Sequence, residues 1–149
     1  MAKVQIKLPD NAYQCRRRVL YGDTDSGGVV YYANYLRYFE QGRTELMRDM
    51  GCTYRDLEDQ GFILPVVESY CRYKASALYD DLLTIHTALV DLQKVSCRFH
   101  YAISKESDPR PLVKGYTVHA VVSRTGRLVK FPPVTYEMLS KICLTDCLP

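Results

Sequence analysis

The stretch Asn34-Tyr35-Leu36-Arg37-Tyr38-Phe39-Glu40-Gln41-Gly42-Arg43-Thr44-Glu45-Leu46-Met47-Arg48-Asp49-Met50-Gly51 decides the fold. Tyr35, Leu36, Phe39, Leu46, Met47 and Met50 recur at spacings of three and four, the pattern of a helix with one apolar face. It predicts one long helix from Tyr32 or Asn34 to Met50. Gly42 falls inside the apolar stripe, where glycine costs about 1 kcal/mol against alanine, so its presence predicts close packing on a sheet. Gly51 follows the last periodic residue and suits a left-handed helix stop.

Working outward, residues 13–21 read as a first strand, followed by a turn-rich patch over residues 22–28. Beyond Gly51 a short helix is predicted over Thr53–Gln60, and after Gly61 the texture changes to strands. Residues 63–74 place Ile63, Val67, Cys71 and Tyr73 on one parity. Residues 82–90 are rich in strand formers. In residues 95–103, Val95, Cys97, Phe99, Tyr101 and Ile103 face one way, and Ser96, Arg98 and His100 the other. Another strand is expected over residues 112–123, after a turn at Asp108-Pro109-Arg110-Pro111. Thr125-Gly126 reads as a further turn, Pro132-Pro133 closes the sheet, and residues 134–144 read as a terminal helix. One strand, one long helix and then strands in series describe an α+β domain with an antiparallel sheet. A sheet with a single long helix leaves edges and a face to cover, which predicts oligomerisation.

The 149 residues suit a single domain spanning 1–149. An apolar fraction of 47% and a charged fraction of 25% are those of an ordinary globular protein. No apolar run approaches the roughly 20 residues of a membrane span. The first 13 residues lack the apolar core and cleavage site of a secretory signal, so a cytoplasmic location is expected. Cys15, Cys52, Cys71, Cys97, Cys143 and Cys147 show no regular spacing and are expected to be reduced thiols. A net charge of +3 is too slight for a nucleic-acid protein. The basic run Arg16-Arg17-Arg18 lies in an expected strand, whose alternation prevents it from forming one patch.

The chemistry is concentrated in Tyr21-Gly22-Asp23-Thr24-Asp25-Ser26-Gly27-Gly28-Val29-Val30-Tyr31-Tyr32-Ala33-Asn34-Tyr35. Two carboxylates precede a glycine-rich turn that leads into the long helix. Backbone N–H groups in a helix's first turn have no helical partner, and the dipole adds positive charge there. Such a turn can hold an oxyanion while a neighbouring carboxylate attacks, or deprotonates water. Capping is the commoner use of these residues. On these grounds either Asp23 or Asp25 could be the functional carboxylate.

The segment from Tyr21 through Leu46 resembles the signature of the 4-hydroxybenzoyl-CoA thioesterase family and its relatives, the Tol-Pal-associated acyl-CoA thioesterases. Pro65-Val66-Val67-Glu68, Tyr73-Lys74-Ala75-Ser76-Ala77, Tyr79-Asp80-Asp81 and the Thr125-Gly126-Arg127 turn extend the likeness over roughly residues 13–135. The resemblance implies the hot-dog fold, a long central helix wrapped by a five-stranded antiparallel sheet. It implies hydrolysis of an acyl-CoA thioester, with Asp25 as nucleophile or general base. The backbone N–H of Tyr32 would face the thioester carbonyl. Some relatives carry a histidine there. Tyr21, Gly28, Val29 and Asn34 are the implied substrate contacts around the helix start. Lys94, Ser96 and Arg98 are those for the nucleotide of coenzyme A, with Arg127 and Lys130 as further candidates. The family forms homodimers, often paired into homotetramers, with active sites between subunits. No metal and no cofactor are implied.

Four other readings compete. A hot-dog dehydratase would resemble its relatives through H-x5-P-G, which is absent, and His86, His100 and His119 lie in expected strands and read as structural. A serine hydrolase would need a G-x-S-x-G elbow, also absent. A non-catalytic module binding acyl-CoA or acyl-carrier protein, or a thioesterase acting on acyl-carrier protein, stays compatible with the motif. The tyrosines near the site suit an aromatic acyl group, yet aromatics also simply fill cores.

Overall fold

The computed structural model describes residues 4–144. In chain order the elements are β1 (Tyr13–Arg18), α1 (Asn34–Asp49), α2 (Tyr54–Asp59), β2 (Phe62–Ile63), β3 (Val66–Tyr73), β4 (Leu82–Leu92), β5 (Ser96–Lys105), β6 (Asp108–Ala120), β7 (Val122–Ser123) and α3 (Pro133–Ile142). Five strands form one antiparallel sheet in the order β1-β4-β5-β6-β3, and β2 pairs with β7 in a small second ladder. The long helix lies against this sheet, giving the expected α+β architecture. No helix among the described residues is long and apolar enough to cross a membrane.

Helix α1 buries Tyr35, Tyr38, Phe39, Gly42, Arg43 and Met47. The expected stripe is therefore rotated slightly: Leu36 is exposed, and Leu46 and Met50 only flank the core. Tyr38 and Arg43 take the central places because their polar ends find partners, Tyr38 at Asp23 and Arg43 at the Tyr54 hydroxyl. At Gly42 a methyl group would run into Thr87 Oγ1 and lie 2.9 Å from Ile85 Cγ2, so the helix seats directly on β4 as expected. Gly51 takes the left-handed conformation, φ 94°, and ends the helix. Thr53 caps α2, its side chain accepting from the Asp56 N–H while Asp56 accepts from the Thr53 N–H, the reciprocal pair of a capping box.

The sheet's inner face is built by alternation. Cys97, Phe99, Tyr101 and Ile103 of β5 point at α1, joined by Leu83, Ile85 and Val113. The Phe39 ring stacks on Tyr101 with centroids 4.3 Å apart. Gly115 of β6 lies beneath that ring, close to the Tyr70 carbonyl.

Several boundaries differ from the sequence reading, each for a local reason. Strand β1 stops at Arg18, because residues Tyr21–Asp23 tighten into a 3-10 turn. The expected strand over 63–74 is broken before β3, where Leu64-Pro65 intervenes. As the outermost strand, β3 leaves Val66, Val67 and Tyr73 exposed, so the expected apolar parity is not an interior face. The Asp108–Pro111 segment belongs to β6, and the turn is at Glu106-Ser107. Its prolines are tolerated because β3 pairs with β6 only from Val113 onward, leaving that end of β6 an edge.

His100, placed with Ser96 and Arg98 on the other face of β5, is fully buried. The N-terminal segment crosses the outer face of the sheet and covers it: His100 Nδ1 meets the Lys7 carbonyl at 2.8 Å, and Leu8 packs beside Ala12, Ala88 and Val90. Cys15, Cys52, Cys71, Cys97 and Cys143 are free thiols, and Cys147 lies outside the described residues.

Candidate active site

The two aspartates that the sequence left open are placed in different environments. Asp23 is buried, and its Oδ2 accepts from the Leu20 N–H at 3.0 Å and the Tyr38 hydroxyl at 2.9 Å, with the Arg17 guanidinium 3.6 Å away. Burial opposes its charge. The Leu20 N–H, the Tyr38 hydroxyl and Arg17 outweigh that and hold its carboxyl below the ordinary value. Its backbone carbonyl accepts from the Tyr31 N–H and from Asn34 Nδ2. Asp23 thus ties β1, the turn and the start of α1 together, through its Oδ2 and its carbonyl, as a buried structural carboxylate.

Asp25 is exposed, at the head of a tight loop. Its N–H donates to the Val29 carbonyl and its carbonyl accepts from Gly28, which adopts φ 83°, a conformation that favours glycine. Oδ1 of Asp25 accepts from the Gly27 N–H at 2.8 Å and, more weakly, from Val29 at 3.4 Å. Oδ2 accepts no protein donor among the described residues. The loop is pinned from below, with Val30 N–H on the Ala77 carbonyl and Val29 bridged to Leu78.

A few residues on, the chain enters α1. The Asn34 N–H bonds the Tyr31 carbonyl and the Leu36 N–H bonds that of Ala33, whereas the N–H groups of Tyr32 and Ala33 find no acceptor among the described residues. Two unpaired donors at a helix start form a region of positive potential. The end of β3 closes the other side: the Tyr73 hydroxyl donates to the Tyr32 carbonyl at 3.0 Å, and the Ala77 N–H donates to the Tyr35 hydroxyl at 3.0 Å. Burial, then the neighbouring Cys71, raises the Tyr73 hydroxyl above its ordinary value, so it stays a donor. Between these parts lies a cleft of about 300 Å³, lined by Asp25, Val29, Tyr32, Tyr73, Lys74 and Ser76 among others. Tyr31 packs on Tyr32 at 4.7 Å, making an aromatic rim.

Of the residues singled out from sequence, Asp25, Val29 and Tyr32 share this cleft, and Gly28 shapes its loop. Asn34 is turned inward to the Asp23 carbonyl. Tyr21 stands 78% exposed and meets Tyr79 edge-on, away from the cleft lining. Lys94, Ser96 and Arg98 are not brought to the cleft within one protomer. Ser96 pairs with Ala120, while the cleft end of β3 at Tyr73 is level with Val113 and Ile103, seven residues further along β5. At about 3.4 Å per residue that separation is on the order of 24 Å. Arg98 is engaged locally, 3.9 Å above the Tyr116 ring and 3.0 Å from His100 Nε2.

The residues missed are Tyr35, Tyr73, Lys74 and Ser76. The last three lie in the Tyr73–Ala77 segment, whose likeness to relatives is visible in sequence, but nothing local says that this edge faces Asp25. Only the strand order does.

An unpartnered carboxylate oxygen beside unpaired backbone donors, in an aromatic-rimmed cleft, suits attack on a carbonyl whose oxygen becomes an anion. Comparison with known proteins agrees. Residues 19–139 match the family model described as the thioesterase-like superfamily. The acyl-CoA thioesterase YbgC of Haemophilus influenzae is 35% identical over 99 residues, 66% of this chain and 73% of that protein. YneP of Bacillus subtilis is 39% identical over 119 residues, 80% of this chain and 83% of that protein. The crystal structure of the DHNA-CoA thioesterase from Staphylococcus aureus superposes with a TM-score of 0.83 at 26% identity, covering 87% of this chain and 89% of that one. With its long helix on a five-stranded antiparallel sheet and a match over most of its length, the chain belongs to the thioesterase-like, hot-dog superfamily.

Proposed function

We propose that this protein is an acyl-CoA thioesterase, cleaving the thioester to a free acid and coenzyme A. Asp25 is its catalytic carboxylate. The observation that carries the reading is the contrast between the two aspartates: Asp23 is buried and bonded through Oδ2 to Leu20, Tyr38 and Arg17, whereas Asp25 is exposed, lines the cleft and has an Oδ2 that accepts no donor among the described residues. In one route Oδ2 attacks the thioester carbon and water then opens the mixed anhydride. In the other Oδ2 takes a proton from water, and that water attacks. Both break the C–S bond, deliver a proton to the departing thiolate and place a negative charge on the carbonyl oxygen. The N–H of Tyr32, which lines the cleft and has no acceptor among the described residues, is the donor available to it. General-base assistance contributes about 10²–10⁴-fold, and one well-aimed oxyanion donor on the order of 2.7–4 kcal/mol.

The single domain acts as a homodimer or homotetramer. Support comes from β3, an edge strand with Val66 and Val67 exposed at 47% and 61%, an edge that isolated sheets seldom leave bare. In such an assembly Lys94, Ser96 and Arg98 can serve the cleft of a partner subunit. Sedimentation equilibrium returning the 17.2 kDa monomer would overturn this. Five free thiols among the described residues suit the reducing cytoplasm.

The decisive experiment is thiol release from an acyl-CoA panel, acetyl through palmitoyl with benzoyl and 4-hydroxybenzoyl. Turnover by the natural protein, lost in Asp25→Asn with an unchanged melting curve, is the expected result. Full activity in Asp25→Asn refutes the assignment.

A further inference from the structure

We propose that Tyr73 is a positioning residue for thioester cleavage: its hydroxyl holds Tyr32 so that the Tyr32 N–H stays aimed at the thioester carbonyl oxygen. The proposal rests on the thioesterase reading and names the side chain that sets the aim of its oxyanion donor. In a regular helix each carbonyl accepts from the N–H four residues on. The Leu36 N–H, which that pattern would send to the Tyr32 carbonyl, goes instead to Ala33 at 3.2 Å. The Tyr32 carbonyl is left over at the head of α1, and it accepts from the Tyr73 hydroxyl of β3 at 3.0 Å. One residue earlier, the Tyr31 carbonyl accepts from the Asn34 N–H at 2.8 Å. The two peptide planes that meet at Tyr32 are thus each held by one bond. The plane that carries the Tyr32 N–H is held within the turn, and the plane that follows it is held from across the cleft by Tyr73 alone among the described residues. A residue has only two soft dihedrals, so fixing both planes fixes the direction of its N–H.

The same short segment also holds the loop of the carboxylate. Val29 forms an isolated bridge with Leu78, the Val30 N–H donates to the Ala77 carbonyl at 2.9 Å, and the Ala77 N–H donates to the Tyr35 hydroxyl at 3.0 Å. Residues 73–78 therefore grip both the loop that carries Asp25 and the helix start that carries Tyr32. Attack on a carbonyl needs those two parts at a fixed spacing, since a misplacement of about 1 Å costs on the order of 10²-fold. Of the bonds in this grip, the one from Tyr73 is the least explained by packing. Its ring is 47% exposed, meeting Tyr32 edge-on at 6.4 Å and Tyr35 at 5.6 Å, contacts that a phenylalanine would make equally well. The hydroxyl adds only the bond to Tyr32, and its raised pKa keeps the proton on it across the neutral range.

The test is Tyr73→Phe, assayed on whichever thioester of the panel the natural protein cleaves fastest. Outright loss of an oxyanion donor costs about 10²–10³ in kcat; here the donor stays and its aim loosens, so kcat falls about tenfold. KM holds, because the ring still walls the cleft, and Tm drops by about 2–4 °C, the shift for one lost hydrogen bond. The spectroscopic reading is taken in Asp25→Asn, which keeps the same thioester uncleaved. With the thioester isotopically labelled at its carbonyl carbon, infrared difference spectra show the carbonyl stretch lowered on binding, and adding Tyr73→Phe reverses most of that lowering. A hydroxyl that merely supports the fold would lower Tm and leave the bound carbonyl band where it was. Should Tyr73→Phe melt far earlier than expected, 4-aminophenylalanine in place of Tyr73 decides: its para amino group still donates, so kcat must recover. Unchanged kcat in Tyr73→Phe, a raised KM at unchanged kcat, an unmoved carbonyl band, or a folded but slow aminophenylalanine enzyme overturns the proposal. Failure of the thioesterase reading looks different: the natural protein itself then cleaves no thioester of the panel.

Discussion

Replacing Gly115 with alanine adds one methyl group where β6 has no room for it. The new carbon would collide with the Tyr70 carbonyl oxygen on β3 and lie 2.6 and 2.8 Å from two ring carbons of Phe39. Carbon atoms rest at about 3.5–4.0 Å, so the ring would have to retreat by roughly 1 Å. It has nowhere to go, being fully buried and stacked on Tyr101 at 4.3 Å. The carbonyl cannot yield either without opening the β3–β6 ladder, in which Gly115 faces Cys71. Overpacking of this kind costs about 1–3 kcal/mol, and an obstructing backbone argues for the upper half. Restricting the unfolded chain returns about 0.4–1 kcal/mol, which leaves a net loss of about 2 kcal/mol. For a domain of this size that lowers Tm by about 4–8 °C. The assay is thermal denaturation by circular dichroism at one fixed protein concentration, because association alone shifts Tm. Phe39→Leu removes the ring contacts but not the carbonyl contact, so the double variant should be less destabilised than the two losses summed, a coupling measurable by a double-mutant cycle. A Gly115→Ala melt within about 1 °C of the natural protein, where Tm shifts by about 2–4 °C per kcal/mol, would refute the reasoning, as would strict additivity.

Asp23→Asn should cost about 2–4 kcal/mol through lost charge-assisted bonds, read as a lower denaturation midpoint. Because the folded state holds the Asp23 carboxyl below its ordinary value, its contribution is complete above that value and fades as pH falls through the folded one. The variant should therefore show a shallower acid loss than the natural protein, and parallel acid curves would count against the account. His119 supplies the second pH effect. Burial, and then the charge of Arg43, pushes it from 6.5 down to about 4. The unfolded chain gains a proton below 6.5 that the folded one refuses until about 4, so stability declines across that window at up to about 1.4 kcal/mol per pH unit. Denaturant midpoints for His119→Gln should lack this slope, and retention of the full slope would contradict it.

Periodicity made α1 legible, and with it the seat of Gly42 on β4, because both depend on neighbours three and four residues away. The stop at Gly51 was readable for the same reason. What escaped was settled across the chain. The different surroundings of Asp23 and Asp25 depend on Tyr38, fifteen residues after Asp23, and on Arg17 on a strand. The cleft's far wall required the order that puts β3 at the sheet edge, which alternation within one strand does not encode. Alternation put His100 on the face of β5 away from Phe99 and Tyr101 but could not show what covers it, which is the returning N-terminal segment. The resemblance pointed to Lys94, Ser96 and Arg98, but the register separates them from Asp25 within a protomer.

The D-x-D pair also divides selection between two currencies. Asp23 is wired into the scaffold by side chain and carbonyl alike, so its loss would lower how much protein a cell accumulates. Asp25 hangs from its own loop, and an asparagine there can keep the loop's hydrogen bonds while discarding the charge. A screen scoring cellular abundance would register the first aspartate and overlook the second, and a screen scoring growth on the enzyme's product would register both. A lineage could accordingly silence the chemistry in one step and keep an intact, correctly assembled scaffold for binding alone.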